Sequence, residues 1–194
     1  MKPLRRYIAM ELVLIASAVG FLCGGFRRPL PPGFSYVRRW ASMPLFIAMP
    51  LFVLPEMIAL DFILWNAGWW RLGSDVLHVY AMLWVVGVAA TARIRPHRCD
   101  ADRVHLRFGC LRRLDLDRAN IAAARVHGTF AAGFGRTVRR AGDTITMVLD
   151  GVPAVELTLR EPIVVRSVLG NARSVHRVFV SADEPAAFAA ALAA

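Results

Sequence analysis

Three apolar runs between positions 7 and 92 decide the solvent in which this chain must fold. The first, 7–26, has 20 residues; at about 1.5 Å of rise per residue a helix of that length reaches about 30 Å, the thickness of a bilayer's hydrocarbon core. The second, 44–64, contains Pro50 and Pro55, each of which removes a backbone hydrogen bond, so a bent span is expected. The third, 75–92, has Ser74 or Asp75 as a candidate N-cap and stops before Arg93, Arg95 and Pro96. Trp40 precedes the second run and Trp65, Trp69 and Trp70 follow it, the positions that amphipathic rings take at a membrane interface. The expectation is a membrane α-helical bundle of three transmembrane helices, with the lipid bilayer as its first partner.

A cleaved signal peptide competes for the first run, because Lys2, Arg5 and Arg6 precede it and Ala16-Ser17-Ala18 resembles a cleavage site. Glu11 interrupts the apolar stretch, and Leu22 before Cys23 stands where a lipoprotein site has a small residue. An uncleaved helix is therefore expected.

Charge divides the chain in the same place as hydropathy. Residues 1–96 hold four acids and ten bases, whereas 97–194 hold ten acids and fourteen bases, an ordinary density for a domain in water. With 57% hydrophobic residues and a mean hydropathy of +0.47, the whole is too apolar for a soluble domain, and the excess sits in the first half. The net charge of +10 comes almost wholly from arginine, Lys2 being the single lysine. Many of these arginines flank apolar runs, where the bias of positive residues toward the cytoplasm accounts for them, so nucleic acid is not an expected partner. With three spans, Lys2, Arg5, Arg6 and Arg71 share one side. Arg27, Arg28, Arg38, Arg39, Arg93, Arg95, Arg98 and Arg103 share the other. The larger group places the C-terminal domain in the cytoplasm and the N-terminus outside.

From Arg103 onward the period changes to two, the mark of half-buried strands. Val104, Leu106 and Phe108 alternate with Arg103, His105 and Arg107; Leu111, Leu114 and Leu116 follow among Arg112, Arg113, Asp115 and Asp117, and Gly109-Cys110 supplies a turn, which reads as a hairpin. Further strands are expected at 121–127, 144–149, 154–159, 163–166 and 175–180, broken at Asp150-Gly151, Glu161-Pro162 and Gly170-Asn171. Asp183-Glu184-Pro185 then opens an alanine-rich helix through Phe188 and Leu192. About seven strands and one terminal helix make a mostly-β domain at 97–194, after a transmembrane region at 1–96.

The segments RVHLRFGCLRRLDLDRANIAAARV, TITMVLDGVPAVELTL and VHRVFVSADEPAAFAAAL resemble the bacterial pleckstrin-homology-like domain found on multi-helix membrane proteins. Asp183, Glu184, Pro185, Phe188 and Leu192 fit its terminal pattern, and Ala92 to Arg98 resembles the junction of a three-helix subgroup. The resemblance covers about residues 97–194. It implies a partly open, seven-stranded PH-like split barrel plugged by the helix, in a bacterial inner (plasma) membrane, with binding or assembly roles and no general reaction.

Two sets of residues are candidate sites. The stretch 128–142 combines Gly128, Gly133, Gly135 and Gly142 with Arg136, Arg139 and Arg140; glycines let backbone N–H groups approach an oxyanion and guanidinium forks grip it, which suits a phosphate or anionic lipid headgroup. The bland alternative is generic attraction of a basic loop to an anionic leaflet. In the helices, Glu11, Asp61 and His78 each fall near the end of a span, roughly 5 Å below one surface, with Glu56 deeper. Ionisable groups at membrane depth cost several kcal/mol unless paired or hydrated, so a metal or proton site is one reading and simple pairing or exposure to water the other.

The three cysteines, Cys23, Cys99 and Cys110, show no CxxC spacing, and His97, Cys99, His105 and Cys110 match no usual zinc arrangement. No nucleophile elbow, HExxH or phosphate-binding loop is present in the sequence. The functional expectation is a non-enzymatic, membrane-anchored module, without cofactor, that binds anionic lipid headgroups, a peptide or another membrane protein subunit. The alternative is a small transporter-like or metal-dependent protein using Glu11, Glu56, Asp61 and His78.

Overall fold

The computed structural model describes residues 2–25, 32–37, 43–110, 112–129, 138–149, 152–166 and 172–193. Helix α1 spans Lys2–Leu22, α2 Met43–Ile63 and α3 Trp69–Ile94. Among the described residues, α3 is the helix long and apolar enough to cross a membrane; the apolar part of α1, Tyr7–Leu22, is shorter. Of the three expected spans, α3 meets this test among the described residues.

The helix boundaries differ from expectation for local reasons. α1 stops at Leu22 because Gly24, at φ 102°, adopts a conformation that side chains disfavour. α2 continues through Pro50 and Pro55 to Ile63. α3 begins at Trp69, a turn and a half before the expected Ser74 or Asp75 cap, with Gly68 at φ 51° forming the break and no side chain capping it. Ser74 instead lies inside the helix, where its carbonyl meets His78 Nδ1 at 2.7 Å.

α1 and α3 run side by side in the same direction, since Tyr80 meets Glu11 and, further along both helices, Gly87 meets Leu14. Leu14 and Ala18 are fully buried. Gly87 allows this approach: a Cβ there would lie 2.5 Å from the Leu14 carbonyl oxygen.

The C-terminal region forms two sheets. Strands β1 (Arg98–Cys99), β2 (Arg103–Phe108) and β3 (Arg112–Asp117) make the first, in that order. β2 and β3 form the expected hairpin, pairing Val104 with Leu116 and Leu106 with Leu114. Asp117 caps a short 3-10 turn, Arg118–Asn120, by accepting from the Ala119 N–H, and the chain enters β4 (Ile121–Thr129).

The second sheet adds β5 (Val138–Ala141), β6 (Thr144–Met147), β7 (Pro153–Arg166) and β8 (Ala172–Ser181), in the order β4-β7-β8-β6-β5. β6 lies parallel to β8 and the remaining pairs are antiparallel. Two expected strands merge into β7. Pro162 has no N–H to donate, yet the strand absorbs it as an irregularity between Thr158 and Ile163 rather than ending.

Helix α4, Pro185–Ala193, starts on its proline and seats Phe188 and Leu192 in the core. Val104, Leu106, Leu116, Ile145, Met147, Leu157, Val178 and Val180 surround them, each at 2% exposure or less.

This core is not built from the C-terminal half alone. Phe34 and His97 form an antiparallel bridge with N–H to oxygen distances of 2.8 and 3.0 Å, and Ser35 accepts from the Asp183 N–H. Tyr36 and Val37 belong to the β-domain core, as does Ala92 of α3. Residues before α2 therefore pack inside the domain that follows α3.

Candidate functional site

The β2–β3 hairpin has two faces because strand side chains alternate. Its inner face carries Val104, Leu106, Leu114 and Leu116; its outer face carries His105, Arg107, Arg113 and Asp115. The register puts Arg107 directly opposite Arg113 and His105 opposite Asp115, while β1 sets Arg98 opposite His105. Like charges facing each other across a ladder destabilise it unless an opposite charge lies near.

Beside this face the chain leaves α3 through Arg95 and Pro96. The result is a concave surface of about 380 Å³ lined by Arg95, Arg98, Arg107, Arg113, Asp100 and His105, with Ile94 of the last helical turn at its edge. The hairpin tip closes against that turn: Gly109 is at φ 53°, a Cβ on it would lie 3.0 Å from Thr91 Oγ1, and Thr91 donates to Cys110 Sγ at 3.8 Å. The arginines are thereby held at the C-terminal end of α3.

The acids near this surface are already engaged. His105 Nδ1 meets Asp115 at 2.6 Å, and its Nε2 meets Asp100 at 3.1 Å. Arg113 Nε also donates to Asp115. Burial opposes ionisation of Asp115, but the hydrogen bonds from His105 and Arg113 outweigh it and hold the carboxyl below its ordinary range. For Arg107 the surroundings oppose the charged form instead. Burial, then the charge of Arg113, lowers its guanidinium from the ordinary value, with Arg95 and Arg98 adding to the effect and Asp115 opposing it. Among the described residues Arg95, Arg98 and Arg107 have no ion-pair partner.

A second concavity, at the other end of the hairpin, is lined by Asp102, Asp117, Arg118 and Arg160 together with the end of α4. Its charges balance, and Arg118 is occupied with the carbonyls of Asp100 and Ala191.

The residues that sequence reasoning chose lie elsewhere. Gly133, Gly135 and Arg136 are outside the described residues. Arg139 and Arg140 stand on β5, opposite Thr146 and Ile145, in a hairpin turned by Gly142 at φ 58°. A strand thus replaces the last part of the expected loop, paired on one side with β6 at the edge of the sheet.

The helix residues do not share a centre. Asp61 forms a bidentate pair with Arg71, at 2.6 and 3.0 Å. Glu11 accepts from the Tyr80 hydroxyl at 2.7 Å, and His78 is satisfied within its own helix. Glu56 is exposed on α2. Among the described residues no three His, Cys, Asp or Glu side chains converge as metal ligands, in the helices or around His97, Cys99, His105 and Cys110. The expected depth was compatible with a cluster, but depth fixes only position along a helix axis; helix rotation gave Glu11, Asp61 and His78 separate partners and left Glu56 exposed.

His97 is spent on packing. It is fully buried, stacked between Tyr36 and Phe188 at 4.6 and 5.5 Å. Its Nε2 donates to the Ser181 carbonyl at 2.9 Å and its Nδ1 accepts from the Arg107 N–H at 3.1 Å, an arrangement that suits the neutral ring. Burial pushes its pKa down to about 4.

Sequence reasoning used Arg95 and Arg98 only as topology signals and read Arg107 and Arg113 as alternating strand residues. Their meeting was not legible: a two-residue turn at Gly109-Cys110 would set Arg107 against Arg112, whereas the observed register pairs Phe108 with Arg112 and so Arg107 with Arg113. Compared with family models, curated proteins and solved structures, the chain matches none.

Proposed function

We propose that this chain is a non-catalytic, membrane-anchored binding module: three spanning helices with the N-terminus outside hold a pleckstrin-homology-like β domain against the cytoplasmic face of a bacterial inner membrane. The observation that carries the reading is the shared core. Tyr36 from the connection between α1 and α2, Ala92 from α3 and Phe108 from the hairpin lie in one buried cluster, so the domain is joined to its anchor by packing rather than by a free linker.

Other features support it. Leu14 and Ala18 bury α1 against its neighbour, which suits a retained helix. Trp65, Trp69 and Trp70 are 64%, 85% and 80% exposed, as interfacial rings are. The hairpin, the second sheet and the terminal helix suit the PH-like reading, while the parallel pairing of β6 with β8 departs from a simple antiparallel meander. The transporter-like or metal-dependent reading needs Glu11, Glu56, Asp61 and His78 at one centre, and the separate partners of Glu11, Asp61 and His78 with the exposure of Glu56 give it no support.

Topology is tested with the full chain fused at its C-terminus to a reporter that works only in the cytoplasm, and in parallel to one that works only outside. Cytoplasmic activity, with the protein resisting alkaline carbonate extraction, is expected. Activity of the external reporter overturns the orientation, and release by carbonate overturns the anchoring.

A further inference from the structure

We infer that the concave arginine surface at the junction of α3 and the β domain binds a phosphate group, gripped by Arg98 and Arg113 with Arg95 and Arg107 beside them. The lining combines four guanidiniums with one carboxylate, Asp100, and that carboxylate is already in contact with His105. Arg113 is paired through Nε with Asp115, but Arg107 opposite it has no ion-pair partner among the described residues, so an anion beside the two offsets the repulsion that remains. Guanidinium groups match a phosphate through paired N–H donors, which a single ammonium cannot do. The second concavity offers no such excess, since its two arginines face two aspartates.

Position selects the sources. Arg95 follows the last residue of α3 and Ile94, 44% exposed, borders the site, so the surface lies where the headgroups of the cytoplasmic leaflet would be. This step rests on the membrane-anchored reading. The ligand is a phosphate that either belongs to an anionic phospholipid or is free in solution.

The full-length protein in a mild non-ionic detergent is titrated with dihexanoyl phosphatidic acid, dihexanoyl phosphatidylcholine and inorganic phosphate. Wild type is compared with R98Q/R113Q and with R125Q/R173Q, two exposed arginines outside the site. Phosphatidic acid is expected to bind wild type and R125Q/R173Q alike, and R98Q/R113Q at least tenfold more weakly, or about 1.4 kcal/mol, with phosphatidylcholine binding much less. If inorganic phosphate binds as tightly as phosphatidic acid and shows the same loss, free phosphate is the source and the site stands. Equal binding of every probe to wild type and R98Q/R113Q, or no binding of either anionic probe to wild type, overturns the inference.

Should R98Q/R113Q fold poorly, R98Q alone serves, because Arg98 is exposed and makes no ion pair among the described residues. Carbonate extraction of the same membranes separates the two readings. Protein that stays in the pellet but ignores anionic probes loses only the phosphate site; protein that is released loses the anchor, whatever the probes show.

Discussion

The rings of Tyr36 and His97 stack at 4.6 Å between centroids, joining a residue from before α2 to the residue that leads into β1. His97 is neutral in this position, with a pKa of about 4 against an ordinary 6.5. An unfolded chain takes up a proton near 6.5, whereas the folded one refuses it until about 4, so stability from this group is full above 6.5 and falls as pH drops through that window. Below 4 it is lost, at a total of about 3 kcal/mol. Thermal unfolding in detergent should show this acid decline in wild type, and a shallower one in H97F. Equal slopes between pH 6.5 and 4 would remove His97 as the cause.

Tyr36 also holds the hairpin tip, because its hydroxyl accepts from the buried Gly109 N–H at 2.6 Å. Y36F keeps the ring stack and leaves that N–H without a partner, which costs about 1–3 kcal/mol. Burial raises the phenol's pKa above its ordinary value, so the hydroxyl stays protonated at neutral pH. Unfolding temperature in detergent is expected to fall; an unchanged value would mean that water replaces the hydroxyl.

Gly87 sets the distance between α1 and α3. In G87V the new side chain meets the Leu14 backbone, which cannot move without moving α1, and the cost is about 1–3 kcal/mol of overpacking. Cysteine crosslinking between Leu12→Cys and a nearby α3 position should become less efficient in G87V. Unchanged crosslinking and unfolding temperature would show that the two helices do not rely on this contact.

Asp61 and Arg71 tie the end of α2 to the start of α3 across the Trp65 turn, with Arg71 also 4.9 Å from the Trp65 ring centre. Both side chains are 35% exposed, so D61N is expected to lower the unfolding temperature only slightly. The informative test is D61R/R71D, which should recover most of whatever D61R loses. A double variant no better than the single one would show that the pair is incidental.

The sequence by itself determined those features that depend on periodicity and local chemistry. Apolar length marked α3 as long and apolar enough to cross a membrane, alternation of Val104, Leu106, Leu114 and Leu116 with charged residues placed the hairpin though its turn did not give the register, and Pro185 marked the start of α4. β5 was not legible, because Val138-Arg139-Arg140-Ala141 has no alternating apolar face and is held as a strand by its partner β6.

Other features depend on contacts between residues far apart in the chain, which no local pattern encodes. Tertiary packing placed Tyr36 and His97 in one core, gave Glu11, Asp61 and His78 separate partners instead of one centre, and brought Arg95 and Arg98 beside the Arg107–Arg113 pair. Depth along a helix follows from counting residues, but rotation about the helix axis does not. Rotation is set by what each face packs against, and here it turned the helix acids apart while the hairpin register drew the arginines together.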